Sequence, residues 1–148
     1  SDVYKRQPMT SPKPRPFSTL TLDHLVLRVE DLPRMRAFYE ETLGCPCVRE
    51  EPKLGLYQFR AGDVLIDLVV KGSPLGGEGP IHHQNGNLDH LCLRVEPFDA
   101  TTLQAWLTDL GLPAEAPRRR FGAEGFGASI YSTDPEGNRL EFKGPAHG

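Results

Sequence analysis

The nine residues Leu-Asp-His-Leu-Val-Leu-Arg-Val-Glu occupy Leu22–Glu30 and return at Leu88–Glu96 with one change, Val26 to Cys92. A near-identical segment at an offset of 66 (His24 to His90) means that the chain carries two copies of one supersecondary unit. Each copy runs into a helical pattern. Met35, Phe38, Tyr39 and Leu43 fall at helical spacing within Pro33–Leu43, as do Leu103, Trp106, Leu107 and Leu110 within Ala100–Leu110. Asp31 and Asp99 stand where N-caps belong, and each helix stops at a glycine followed two residues later by proline, Gly44/Pro46 and Gly111/Pro113.

Three strand-like runs follow each helix. In the first half they lie near Val48–Glu50, Leu56–Arg60 and Val64–Val70; in the second, near Pro117–Arg120, Gly127–Ser132 and Asn138–Lys143. The pattern predicts an α+β fold of two tandem βαβββ modules that pair into a single domain. One module alone buries too little apolar surface to stand by itself. The expected layout is a proline-broken tail over residues 1–18, in which Met9 marks an alternative start, then one domain over 19–145. Module one spans 20–71 and module two 88–145; between them, residues 72–87 read as a mobile glycine-rich linker placed to cover a site.

Composition narrows the partners. A net charge of −3 with 25% charged residues gives no basic face for nucleic acid or an anionic membrane. No apolar run approaches the roughly 20 residues of a membrane-spanning helix. The three cysteines, Cys45, Cys47 and Cys92, cannot close a disulfide framework, and Cys-Pro-Cys has the wrong spacing for a CxxC motif. A reducing, cytoplasmic setting is expected.

Strand parity then sorts the polar groups. Leu25, Leu27 and Val29 share one face and His24, Val26 and Arg28 the other; the second copy sets Leu91, Leu93 and Val95 against His90, Cys92 and Arg94. The aliphatic faces must pack on the helices. Asp67 in the fourth strand and Glu141 in the eighth fall, by the same alternation, on the face away from the helices. Two imidazoles and a carboxylate suffice for a metal, although strand histidines more often serve packing or surface, and duplication copies bland residues faithfully.

With the closing stretch Asp134-Pro135-Glu136-Gly137-Asn138-Arg139-Leu140-Glu141, the LDHL openings and Phe38-Tyr39…Leu43-Gly44, the chain resembles the vicinal oxygen chelate superfamily over about Leu20–Lys143. That superfamily includes glyoxalase I, methylmalonyl-CoA epimerase, extradiol dioxygenases and fosfomycin and bleomycin resistance proteins. Within it, the chain is most similar to short glyoxalase-domain proteins, and the resemblance implies that the two modules pair into a curled mixed sheet around a divalent metal. The resemblance implies metal ligands at His24 and His90 in the first strands, and at Asp67 and Glu141 in the last. Asp67 departs from the Glu or Gln of isomerase members and is one methylene shorter.

A mixed N/O donor set of this kind suits Zn, Ni, Mn, Fe or Co as a divalent ion with exchangeable positions. The resemblance implies a glyoxalase-like lyase or isomerase acting on a small oxygen-chelating substrate, with Glu141, aided by Asp67, as the base. The alternatives are an extradiol-type dioxygenase using Fe(II), in which His82 or His83 would serve as acid–base, a thiol transferase, or a non-catalytic drug binder. Arg119, Arg120 and Tyr131 are the candidate substrate contacts, with Arg28, Arg94 and Arg139 behind them. A homodimer is expected, because modules of this family pair within or between chains.

Overall fold

The computed structural model describes residues 14–82 and 88–147. Module one is built from β1 (His24–Val29), α1 (Leu32–Arg36), β2 (Cys47–Glu51), β3 (Leu56–Ala61) and β4 (Val64–Val70). Module two repeats the order with β5 (Leu91–Arg94), α2 (Ala100–Asp109), β6 (Arg118–Gly122), β7 (Gly125–Thr133) and β8 (Arg139–Lys143). The eight strands form two sheets of four, ordered β1-β4-β3-β2 and β5-β8-β7-β6. In each sheet the first strand pairs parallel with the last, and the remaining pairs are antiparallel. The α+β class and both βαβββ units are thus present, with the strands divided between two sheets rather than joined in one.

The caps stand where the sequence places them. Asp31 accepts from the Arg34 N–H at 3.1 Å, and Asp99 from the Thr102 N–H at 2.9 Å. Gly44 and Gly111 follow the helices with φ of 78° and 77°, a left-handed conformation that glycine adopts without steric cost. The first helix departs from expectation. Beyond Arg36 it widens over Ala37–Thr42, and the Leu43 N–H donates to the carbonyl of Phe38, five residues back, at 2.8 Å.

The helix-side faces of both sheets share one core. Leu27, Val29, Ile66 and Leu68 of the first sheet cluster with Ile130, Leu140 and Phe142 of the second, together with Met35, Phe38, Tyr39 and Leu107 from the helical segments. Burial of these side chains holds the halves together. By alternation, the histidine-bearing face of each sheet turns away from that core. Polar bonds also tie the modules. The buried Tyr39 hydroxyl donates to Asp134 at 2.8 Å, and the Glu136 carboxylate accepts from the N–H groups of Glu30 and Asp31 at the head of α1.

The early part of the linker is tied to β1. Arg28 donates to the carbonyls of Gly76, Gly77, Gly79 and Pro80 at 2.6–3.3 Å, and a side chain at Gly76 would collide with the Val70 carbonyl. His83 and the rest of residues 83–87 lie outside the described residues. Among the described residues no helix is long and apolar enough to cross a membrane.

Candidate metal centre

Each histidine of the repeat is gripped from the same side. Asp23 and Asp89, just ahead of β1 and β5, place Oδ2 2.7 Å from Nδ1 of His24 and His90 respectively. A carboxylate at Nδ1 fixes the tautomer with the proton on that nitrogen and frees Nε2. In both modules Nε2 then faces a carboxylate on the last strand: His24 Nε2 lies 4.0 Å from Asp67 Oδ2, and His90 Nε2 lies 3.1 Å from Glu141 Oε1. The parallel pairing explains the match, since Val26 sits beside Asp67 in one sheet and Cys92 beside Glu141 in the other.

The two carboxylates are buried, 4% and 6% exposed, and differently supported. Glu141 Oε2 accepts from the Ser129 hydroxyl at 2.6 Å. Burial pushes the Glu141 carboxyl up, but hydrogen bonds from Ser129 and Tyr131 and the charge of His90 outweigh it and leave it below the usual carboxylate range. Asp67 Oδ2 accepts from Gln58 Nε2 at 3.1 Å, while its Oδ1 is buried without a hydrogen-bond partner among the described residues. His24 is held above its usual value, by the hydrogen bond to Asp23 first and the charge of Asp67 second.

These donors fit a metal ion. With Nδ1–H committed to Asp89, the lone pairs of His90 Nε2 and an ionised Glu141 face one another at 3.1 Å and call for a shared cation, a proton or a metal. The orphaned Oδ1 of Asp67 offers a further acceptor. Yet among the described residues no three His, Cys, Asp or Glu side chains converge tightly enough to hold an ion. One chain assembles two pairs, His24 with Asp67 and His90 with Glu141, each on a face turned out from the shared core.

The second pair has the richer surroundings. A cavity of about 400 Å³ is lined by His90, Cys92, Arg94, Glu141 and Lys143, with residues 121–124 at its rim. The Cys92 thiol, reached by solvent at one side, is pushed up to about 11, by desolvation first and Glu141 second. Tyr131 packs edge-on against His90 at 5.6 Å and receives Arg120 Nε at 3.3 Å, so both of these expected contacts belong to this half-site. Arg119, one residue along β6, is turned to the other face and lies 3.8 Å over the Phe126 ring. Arg139 stacks 4.5 Å from the Tyr131 ring and pairs with Glu115, whereas Arg94 pairs with Glu124 and Glu96. His82 and His90 border a second cavity, of about 340 Å³.

Asp23, Asp89, Ser129 and Gln58 escaped the reading by strand parity. The signal for the first two was in plain view, as both sit inside the repeated Leu-Asp-His-Leu. Parity assigns neighbours to opposite faces, but each aspartate lies outside its strand and can fold back on the histidine that follows.

The family model for the glyoxalase/bleomycin resistance protein/dioxygenase superfamily matches residues 21–142, which takes in both histidines and both buried carboxylates. The chain belongs to this superfamily. Virulence protein STM3117 of Salmonella typhimurium is 28% identical over 121 residues, covering 82% of this chain and 81% of that protein. Its crystal structure matches with a TM-score of 0.68 at 26% identity, over 88% of this chain and all of the other. An integron cassette protein from V. cholerae matches with a TM-score of 0.67 at 28% identity, over 88% of this chain and 98% of the other. Lactoylglutathione lyase from Agrobacterium tumefaciens, 22% identical with a TM-score of 0.60 over 86% and 95%, shares the superfamily fold.

Proposed function

We propose that this protein is a divalent-metal-dependent, glyoxalase-like lyase or isomerase that acts as a homodimer on a small oxygen-chelating substrate. In this dimer His24 and Asp67 of one protomer meet His90 and Glu141 of the partner subunit. The observation that carries the proposal is the duplicated half-site: an aspartate on Nδ1, a free Nε2, and a buried carboxylate beyond it, in each module. Each half-site has two donors, too few for a stable centre, and each faces outward. The outward faces are not finished surfaces, since Val26, beside Asp67, is 50% exposed.

A bound divalent ion supplies Lewis-acid polarisation of paired substrate oxygens, which suits two imidazoles with carboxylates. The protein's own groups do the proton work. Glu141 is ionised at neutral pH and accepts a proton from the carbon next to the chelated oxygen, then returns it. Ser129 keeps its hydroxyl on Oε2, so Oε1, the oxygen that faces His90 Nε2, is the one that holds the ion or takes the proton. Tyr131 packs against the imidazole and Arg120 holds the Tyr131 hydroxyl from behind. With two carboxylates present, Asp67 is the second base, on the opposite side of the substrate.

The test mixes two inactive variants, His24→Ala and His90→Ala. Across a dimer interface, a heterodimer of the two regains one complete site, so metal content and turnover of a hemithioacetal or an epimerisable thioester recover on mixing. No recovery on mixing, with dimers confirmed, refutes a shared site. Oxygen consumption with a catechol that only Fe(II) restores would replace the isomerase by a ring-cleaving dioxygenase.

A further inference from the structure

Lys143 lies two residues beyond Glu141 on the same face of β8 and is 4% exposed. Its Nζ reaches the Gly144 carbonyl at 3.4 Å, a long contact, and among the described residues it forms no ion pair within 4.0 Å. Burying an ammonium without a counter-ion is costly, so such a group is retained for something that arrives. The site is shaped around it. A Cβ at Gly122 would stand 2.8 Å from Lys143 Cε and meet nothing but this side chain, while one at Gly127 would stand 2.6 Å from the Pro145 carbonyl and 2.9 Å from Nζ, so Gly122 keeps a slot open for the lysine stem.

The slot opens on the 400 Å³ cavity that also holds His90 and Glu141. The other cation that lines it, Arg94, is engaged by Glu124 and Glu96. Of these two, Lys143 alone meets no partner side chain. We propose that Lys143 anchors an oxyanion group of the substrate, a carboxylate or a phosphate, and that the site therefore takes small organic anions. Positions two apart on one strand face are about 7 Å apart, which sets the span between this anion and the oxygens presented to His90 and Glu141. The inference rests on reading that pair as part of a metal centre, and it names the substrate class.

Binding of acetate and of inorganic phosphate to the purified dimer is measured by calorimetry, with metal content determined on the same samples. The neutral methyl ester of acetate is the control. The wild type binds at least one of the two anions and not the ester, and whichever anion binds identifies the oxyanion. Lys143→Met weakens that binding about tenfold or more, the scale of a lost charge-assisted hydrogen bond, at unchanged metal content. Gly122→Ala, which keeps the charge but closes the slot, weakens it in the same direction and serves if Lys143→Met does not fold. Affinity within twofold of wild type in the folded variants, or no anion binding by the wild type, overturns the proposal. A protein that binds the anion through Lys143 yet takes up no metal keeps this inference and loses the metal centre; the reverse result does the opposite.

Discussion

Replacing Tyr39 by phenylalanine removes one oxygen and leaves the ring in its pocket. The residue is fully buried in α1's widened turn, and its hydroxyl donates to Asp134 Oδ2 at 2.8 Å in a turn of the other module. Asp134 is 1% exposed and also accepts from the N–H groups of Glu136 and Asn138 and from Asn138 Nδ2. Three bonds therefore remain to a carboxylate that cannot reach water. Loss of one hydrogen bond to a buried charged group costs about 1.5–3 kcal/mol. For a chain of this length the corresponding fall in Tm is roughly 3–12 °C. Urea unfolding of Tyr39→Phe should show a lower midpoint with an unchanged slope, as expected when the contact is lost but the surface exposed on unfolding is the same. A cycle with Asp134→Asn isolates the pair term. Tyr39→Phe within 0.5 kcal/mol of wild type would refute the claim that this bond couples the modules.

Asp89→Asn and Asp23→Asn remove the carboxylate that orients each imidazole, and each should lower metal affinity by about tenfold in a chelator competition. That is the low end of such effects, because both aspartates are largely exposed; wild-type affinity in both would count against the centre. Ser129→Ala removes a donor that holds the Glu141 carboxyl low, so the pH at which metal is released on acidification should move upward; an unmoved midpoint would show that Ser129 does not set it. Burial and then Asp134 hold the Tyr39 phenol well above its usual value. Its contribution to stability is therefore full below pH ~10 and falls by up to ~1.4 kcal/mol per pH unit above it. Denaturation followed from pH 9 to 11 should show this loss in wild type and not in Tyr39→Phe. Arg28→Ala strips the donors from four linker carbonyls, and limited proteolysis should then cut within residues 76–80 faster than in wild type.

Much of this was legible because the repeat supplies two readings of one pattern. His24, Val26 and Arg28 could be set apart from Leu25, Leu27 and Val29 by alternation alone, and the second copy agrees position for position. Asp31 and Asp99 announce themselves as caps through local chemistry, and Gly44 and Gly111 as stops. What could not be read is everything that depends on how the halves meet. Parity says that His24 and His90 share a kind of face, but not whether those faces look at each other or away. The core decides that, since Leu27 and Leu140 are claimed by the same cluster. Arg28 read as an anion contact; its four bonds to the linker depend on a chain reversal some fifty residues later, which no local pattern encodes. Lys143 merely closes the last strand-like run in the sequence, and only the fold shows that it is buried with its stem against Gly122.

The carboxylate of Glu136 on the head of α1 has a consequence for how the protein is made. The N–H groups of Glu30 and Asp31 find their acceptor 105 and 106 residues further along the chain. At a synthesis rate of about 5–20 residues per second, that partner arrives roughly 5 to 20 seconds after the helix it caps. Through this interval the first module exists with Tyr39 unanswered and one side of its core open. A ribosome-bound fragment ending near the linker should therefore be protease-sensitive and a good client for a holdase, becoming resistant only when the turn at residues 134–138 has emerged.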